Sequence, residues 1–193
     1  MLKHILLGAA AALLITSSAS ADDAAIQAKA KEYAQTEIKK WVADPDIVAA
    51  LNAANTERAA YDQAKIDEMD KQWRAEVGAA THPLIDQTAA NPSSAKLKAI
   101  CTSNETVLEA FLMDAKGLNV GICDPTSDFW QGDEAKWQKT FQVGPDAVFV
   151  DKVEQDESTQ KFEVQTSMTV VDPATGKPIG AITVGLDAEK LSQ

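Results

Sequence analysis

Chemistry in this chain is concentrated in one stretch, Asp128 to Phe141, which reads DFWQGDEAKWQKTF and holds four of the eleven aromatic residues, Phe129, Trp130, Trp137 and Phe141. Asp128, Asp133 and Glu134 are interleaved with them around Gly132. A helix starting just after Gly132 would place Asp133 and Glu134 in its first turn, where carboxylates complement the helix dipole. Glu134, Trp137 and Phe141 would then share one face. A carboxylate beside aromatic faces suits a cationic ligand such as an amine, through charge pairing and cation–π attraction. The same residues also suit plain packing, with Trp137 and Phe141 against a sheet and the acids at a helix start. Trp130, Asp133 and Glu134 are the first candidates for ligand contact, followed by Asp128 and Trp137, with Phe111, Phe149 and Asp151 supplied by neighbouring strands.

Catalytic readings find no anchor. Beyond residue 21 the only histidine is His82, between Thr81 and Pro83 in a helix-breaking stretch. There is no G-x-S-x-G elbow, P-loop or dinucleotide fingerprint. A zinc site would need more than one His and two distant cysteines. Asp151, Glu154, Asp156 and Glu157 lack the spacing and the glycine of a calcium loop and read as a solvated turn. No catalytic residue, metal or cofactor is assigned.

The elements that must position the candidate stretch follow from periodicity. The chain has 193 residues, 45% apolar and 24% charged, enough for one substantial core. Residues 1–21 read as a signal peptide: Lys3 and His4, an apolar run from Ile5 to Ile15, then Ala19-Ser20-Ala21 as the cleavage motif. That run is too short for the roughly 20 residues a membrane span needs, so the expected product is exported, periplasmic and without a span. Its formal charge moves from −11 to −12, which disfavours nucleic acid and anionic lipid surfaces. In an oxidising compartment Cys101 and Cys123 could form a disulfide; two buried thiols remain the alternative.

Residues 22–104 are expected to be helical. Ile26, Ala30, Ala34, Ile38 and Trp41 mark one helical face. Asp44-Pro45 caps a second helix, Asp62 a third, and Asn91-Pro92 a short fourth. Gly78 and Thr81-His82-Pro83 are stops. Residues 105–193 change to strand grammar: Val107–Met113, a turn at Asp114–Gly117, and Leu118–Ile122. After the candidate stretch come strands from Ala147, from Phe162 to Val170, and from Ile179 to Leu186. The fourth alternates cleanly, predicting one buried face, and consecutive pairing favours a meander.

The order and the residues FLMDAKGLNVGIC, SDFWQGDEAKW, SMTVVD and GKPIGAITVGLD resemble the Cache or PDC family of extracytoplasmic PAS-like sensor domains. The resemblance implies an α+β fold: long N-terminal helices, then a five-stranded antiparallel sheet with a helical crossover between its second and third strands. It also implies a small-molecule pocket between one sheet face and that crossover. Receptors of this family carry the domain between two membrane helices. Here no second apolar segment or output domain is read, so the expectation is a free-standing module acting through a membrane receptor or kinase partner. An interaction protein that keeps the fold without a pocket, its helical half packing on a partner or on a second copy as a homodimer, is the other reading.

Overall fold

The computed structural model describes residues 16–155 and 161–193. Most of the expected signal peptide, and Asp156 and Glu157 of the acidic turn, lie outside the described residues. The order is α1 (Thr16–Tyr33), a π-helical turn (Ala34–Ile38), α2 (Lys39–Trp41), α3 (Pro45–Glu57), α4 (Gln63–Glu76), α5 (Pro83–Ala89) and α6 (Pro92–Ser103). Then come β1 (Val107–Asp114), β2 (Asn119–Ile122), α7 (Ala135–Gln138), β3 (Val148–Gln155), β4 (Phe162–Val171), β5 (Pro178–Asp187) and α8 (Ala188–Ser192). No helix among the described residues is long and apolar enough to cross a membrane.

The helix starts are those the capping residues dictate. Asp44 and Asn91 accept the N–H groups of Asp46 and Ser93, with proline at the first helical position, and Asp62 accepts that of Lys65. The π turn also has a sequence cause. Ile26, Ala30, Ala34, Ile38 and Val42 recur every four residues, and a stripe of that period drifts about 40° per step on a 3.6-residue helix. One wider turn, in which Lys39 N–H reaches back to the Ala34 carbonyl, rotates the stripe back towards the core. Pro83 is a helix start as well as a stop: α5 begins there, capped by the Glu76 carboxylate, which accepts the N–H groups of Leu84 and Ile85. The sequence reading saw only the break, because the cap comes from another helix.

The sheet is five-stranded and antiparallel, in the order β2-β1-β5-β4-β3. It is therefore not one continuous meander. β1–β2 and β3–β4–β5 are each consecutive, but the halves join by pairing β1 with β5. The α+β, PAS-like architecture is as the resemblance implied. One sheet face, through Ala110, Leu112, Val164, Ile182 and Val184, packs on α1, the π-helical turn, α3 and α6 via Ala30, Ile38, Leu51 and Leu97. The other carries Phe111, Met113 and Ala181 against Trp73, Phe129 and Trp137. β1 is consequently covered on both sides. So is β4 from Thr166 to Val170, where one buried face was expected. On that second face the hydroxyls of Ser167 and Thr183 pair at 2.9 Å, whereas the buried Thr169 hydroxyl finds no partner.

Cys101 of α6 and Cys123, just after β2, form a disulfide with Cα atoms 6.5 Å apart. It fixes a helix of the first layer to the point where the chain leaves the sheet for the crossover.

Candidate functional site

The crossover is held in two separate ways, and these divide the residues singled out from the sequence. Its first part is a latch. Trp130 pairs with Leu118, just before β2 begins, and its indole N–H donates to the Lys116 carbonyl at 2.9 Å. Its backbone N–H, like that of Phe129, donates to Asp70 of α4. Arg74 bridges Asp70 (2.6 Å) and Asp128 (3.0 Å). Gly132 lies against the β1–β2 turn, where Gly117 has φ +81° and a Cβ would meet the Gly132 backbone at 2.5 Å. Asp128 and Trp130 thus fasten the crossover to α4 and the hairpin, and Asp133 projects outward, exposed.

The second part faces the sheet. α7 is only four residues long and begins at Ala135, so Asp133 and Glu134 precede the helix and do not occupy its first turn. The Gly132 bend is spent on packing against the hairpin, which delays the helix. Trp137 is buried, donates its indole N–H to the Asp114 carbonyl at 3.0 Å, and stacks on Phe141 with centroids 5.2 Å apart.

Beneath α7 the register lines up side chains in rows across the sheet. Phe111, Thr183, Ser167 and Phe149 form one row. Glu109, Gly185 and Gln165 form the next. Gln165 donates across β5 to Glu109 at 2.7 Å. Gly185 permits this: a Cβ there would run into the carboxyl of Glu163 and the chain of Glu109. The crossover covers both phenylalanines with cations. Lys136 Nζ lies 5.3 Å from the Phe111 ring centre and 2.9 Å from Glu134 Oε2, while Lys139 Nζ lies 4.3 Å from that of Phe149.

Beside these rows, between the crossover and the facing ends of β3 and β4, opens a cleft of about 830 Å³. Glu134, Asp151, Glu154 and Glu163 line it against Lys136 and Lys152, with Gln155 and Gln165 completing the wall. Four carboxylates against two ammonium groups leave the cleft acidic. Lys152 is held above the usual lysine range by its hydrogen bond to Glu154. No group of three or more residues able to hold a metal ion occurs among the described residues.

Of the eight residues read from the sequence, Glu134 and Asp151 line the cleft and Phe111 lies under Lys136, which lines it. Trp137 supports the wall from behind. Trp130, Asp128, Asp133 and Phe149 are not on the lining. Glu163, Gln165 and Lys136 line the cleft without having been read as candidates, as do Lys152, Glu154 and Gln155 of β3. The first two were in view as the polar half of the alternating strand, but alternation alone does not say that the polar side is roofed. Lys136 lay inside the candidate stretch, passed over for its acids and aromatics.

No family model matches the chain, and no curated protein matches it. Solved structures do. One is the sensory domain of the Campylobacter jejuni chemoreceptor Tlp3 with isoleucine bound: 13% identity, 84% of this chain and 64% of that one covered, TM-score 0.41. Another is the ligand-binding domain of the Pseudomonas aeruginosa amino-acid chemoreceptor PctC in complex with GABA: 11% identity, 91% and 62% covered, TM-score 0.41. A third is the extracellular domain of a putative histidine kinase, rpHK1S-Z16: 11% identity, 90% and 61% covered, TM-score 0.41. The chain spans a little over three-fifths of the length of these domains.

Proposed function

We propose that this chain is an extracytoplasmic ligand-binding module of the sensor type, whose ligand occupies the cleft between the crossover and the β4 side of the sheet. The observation that carries this reading is the cleft itself: about 830 Å³, bordered by Glu134 and Lys136 of the crossover and lined throughout by charged and amide side chains. Such a lining selects a small polar molecule over an apolar one. Its excess of carboxylates favours a ligand bearing an ammonium group, an amine or amino acid, with Glu134, Asp151 and Glu163 as contacts. Phe111 and Trp137 shape the wall from below and behind, and Asp128, Trp130, Asp133 and Phe149 act at most through its position. Export by the N-terminal segment into the periplasm, and action through a membrane receptor or kinase, complete the proposal.

A thermal-shift screen against amino acids, amines, carboxylates and nucleobases tests it. A ligand at a hundred times its Kd adds about 2.7 kcal/mol, several degrees of melting temperature for a chain of this size. No stabilisation by any class would refute the reading. One observation favours the second reading, an interaction protein without a ligand: both crossover indole N–H groups are consumed by backbone carbonyls. Sedimentation showing a dimer, with no ligand response, would establish it.

A further inference from the structure

The carboxylate-and-aromatic arrangement that would receive a ligand's ammonium is already occupied, in cis, by Lys136. Its Nζ is 2.9 Å from Glu134 Oε2 and 5.3 Å from the centre of the Phe111 ring. Its side chain is only 14% exposed, whereas that of its carboxylate partner Glu134 is 37% exposed. An ordinary surface lysine keeps its ammonium in water; this one is turned inward between a ring face and an acid. The cleft that Lys136 lines is otherwise dominated by carboxylates.

We infer that Lys136 is the specificity-determining residue of the cleft, a tethered cation that fills its cation subsite. This deepens the proposed function and rests on it. An organic cation reaches Glu134 and the Phe111 face only by displacing the Lys136 ammonium, so the wild-type cleft discriminates against simple monoamines. A ligand is accepted when it offers the displaced ammonium something in return, such as an anionic group, or when it binds other carboxylates further along the wall. The tether makes the competition intramolecular, so the lysine acts at a high effective concentration. Its hold on the subsite combines a partly desolvated cation–π contact with a half-exposed ion pair, and the two together correspond to about a tenfold effect on affinity.

Truncating the lysine converts the tethered cation into a free one. The side chain of lysine beyond Cα is n-butylammonium, so that ion is the natural probe, with n-butanol as its uncharged counterpart. Calorimetric titration of the wild type, K136A, K136R and K139A should show n-butylammonium binding to K136A at least about tenfold more tightly than to the other three. n-Butanol should show no such preference. Equal affinity of K136A and wild type for n-butylammonium, or no binding to K136A, would overturn the inference. So would an equal gain with n-butanol, which would mean that a void was filled and no cation was recognised. If K136A does not fold, K136M retains the stem over Phe111, and tetramethylammonium replaces the probe with the same order expected. Failure of the sensor reading is separate, since it appears as a wild type stabilised by nothing in the screen, whatever K136A does.

Discussion

Removing the charge of Asp114 should destabilise the protein more than any substitution in the cleft. Its carboxylate, 1% exposed, accepts Arg58 Nη1 at 2.8 Å and the backbone N–H groups of Lys116 at 2.8 Å and Leu118 at 3.0 Å. Arg58, 13% exposed, also donates to the Asn119 carbonyl and lies 5.3 Å from the centre of the Phe129 ring. One ion pair therefore joins the end of α3 to the β1–β2 turn and to the start of the crossover. Breaking a buried pair by removing one partner costs about 3–5 kcal/mol, because the other charge is left without compensation. In Asp114→Ala the two turn N–H groups also lose their acceptor, adding about 1–3 kcal/mol. Against a total stability on the order of 5–15 kcal/mol, D114A should be unfolded or nearly so. Asp114→Asn keeps one oxygen for the turn and should lose about 3–5 kcal/mol. The double variant R58M/D114N removes both charges and should recover part of that loss, giving a coupling of a few kcal/mol. Urea unfolding followed by far-UV circular dichroism supplies the free energies. A loss below about 1 kcal/mol for D114N, or strict additivity in the double variant, would refute the claim that this pair fastens the crossover.

Three further outcomes are expected. Thiol titration of the unfolded, non-reduced protein should find no free thiol, and C101S/C123S should lose about 3 kcal/mol, the value for a closed loop of this length. The buried Glu76 carboxyl is pushed up by burial, but the donors Gln72, Ile85 and Leu84, with His82 nearby, bring it below its ordinary 4.5. Its folded pKa being depressed, it contributes stability that is present above about pH 4.5 and lost as the pH falls through the folded value. E76Q should therefore show a shallower acid dependence in unfolding curves taken at successive pH values below 5, and the wild-type slope retained would contradict this. Gly117→Ala and Gly176→Ala should differ. Both residues have positive φ, +81° and +68°, but Gly176 has open space around its missing Cβ while Gly117 abuts Gly132. G176A should cost about 1–2 kcal/mol of left-handed strain and G117A clearly more, measured as melting temperatures.

Local interactions were legible in the sequence and long-range ones were not. Asp44, Asp62 and Asn91 cap the helices they were read to cap, because a cap is a contact between residues two or three apart. The strands lie where alternation put them, and the Asp114–Gly117 turn is where the hairpin reverses. The pairing of β1 with β5, which overrides the meander, depends on residues some seventy positions apart and leaves no periodic trace. The same limit applies to the site. The crossover was found from its composition, but the latch made by Asp70 and Arg74 comes from a helix more than fifty residues earlier. That the polar face of β4 is a floor and not a solvent face depends on α7 lying over it.

The strand order has a consequence for how the molecule assembles. β5, formed last along the chain, is the central strand of the sheet, with β1 on one side and β4 on the other. Until it is made, β1–β2 and β3–β4 are two separate hairpins, each with an open inner edge. Their union closes a long chain loop, the kind of contact that slows folding. The Cys101–Cys123 bond joins positions 22 apart and needs none of this. An emerging chain can thus staple α6 to the first hairpin while the second hairpin still waits for its partner. Until that union the inner edges of β1 and β4 carry unpaired backbone groups, the places where an unfinished chain is most open to wrong pairing.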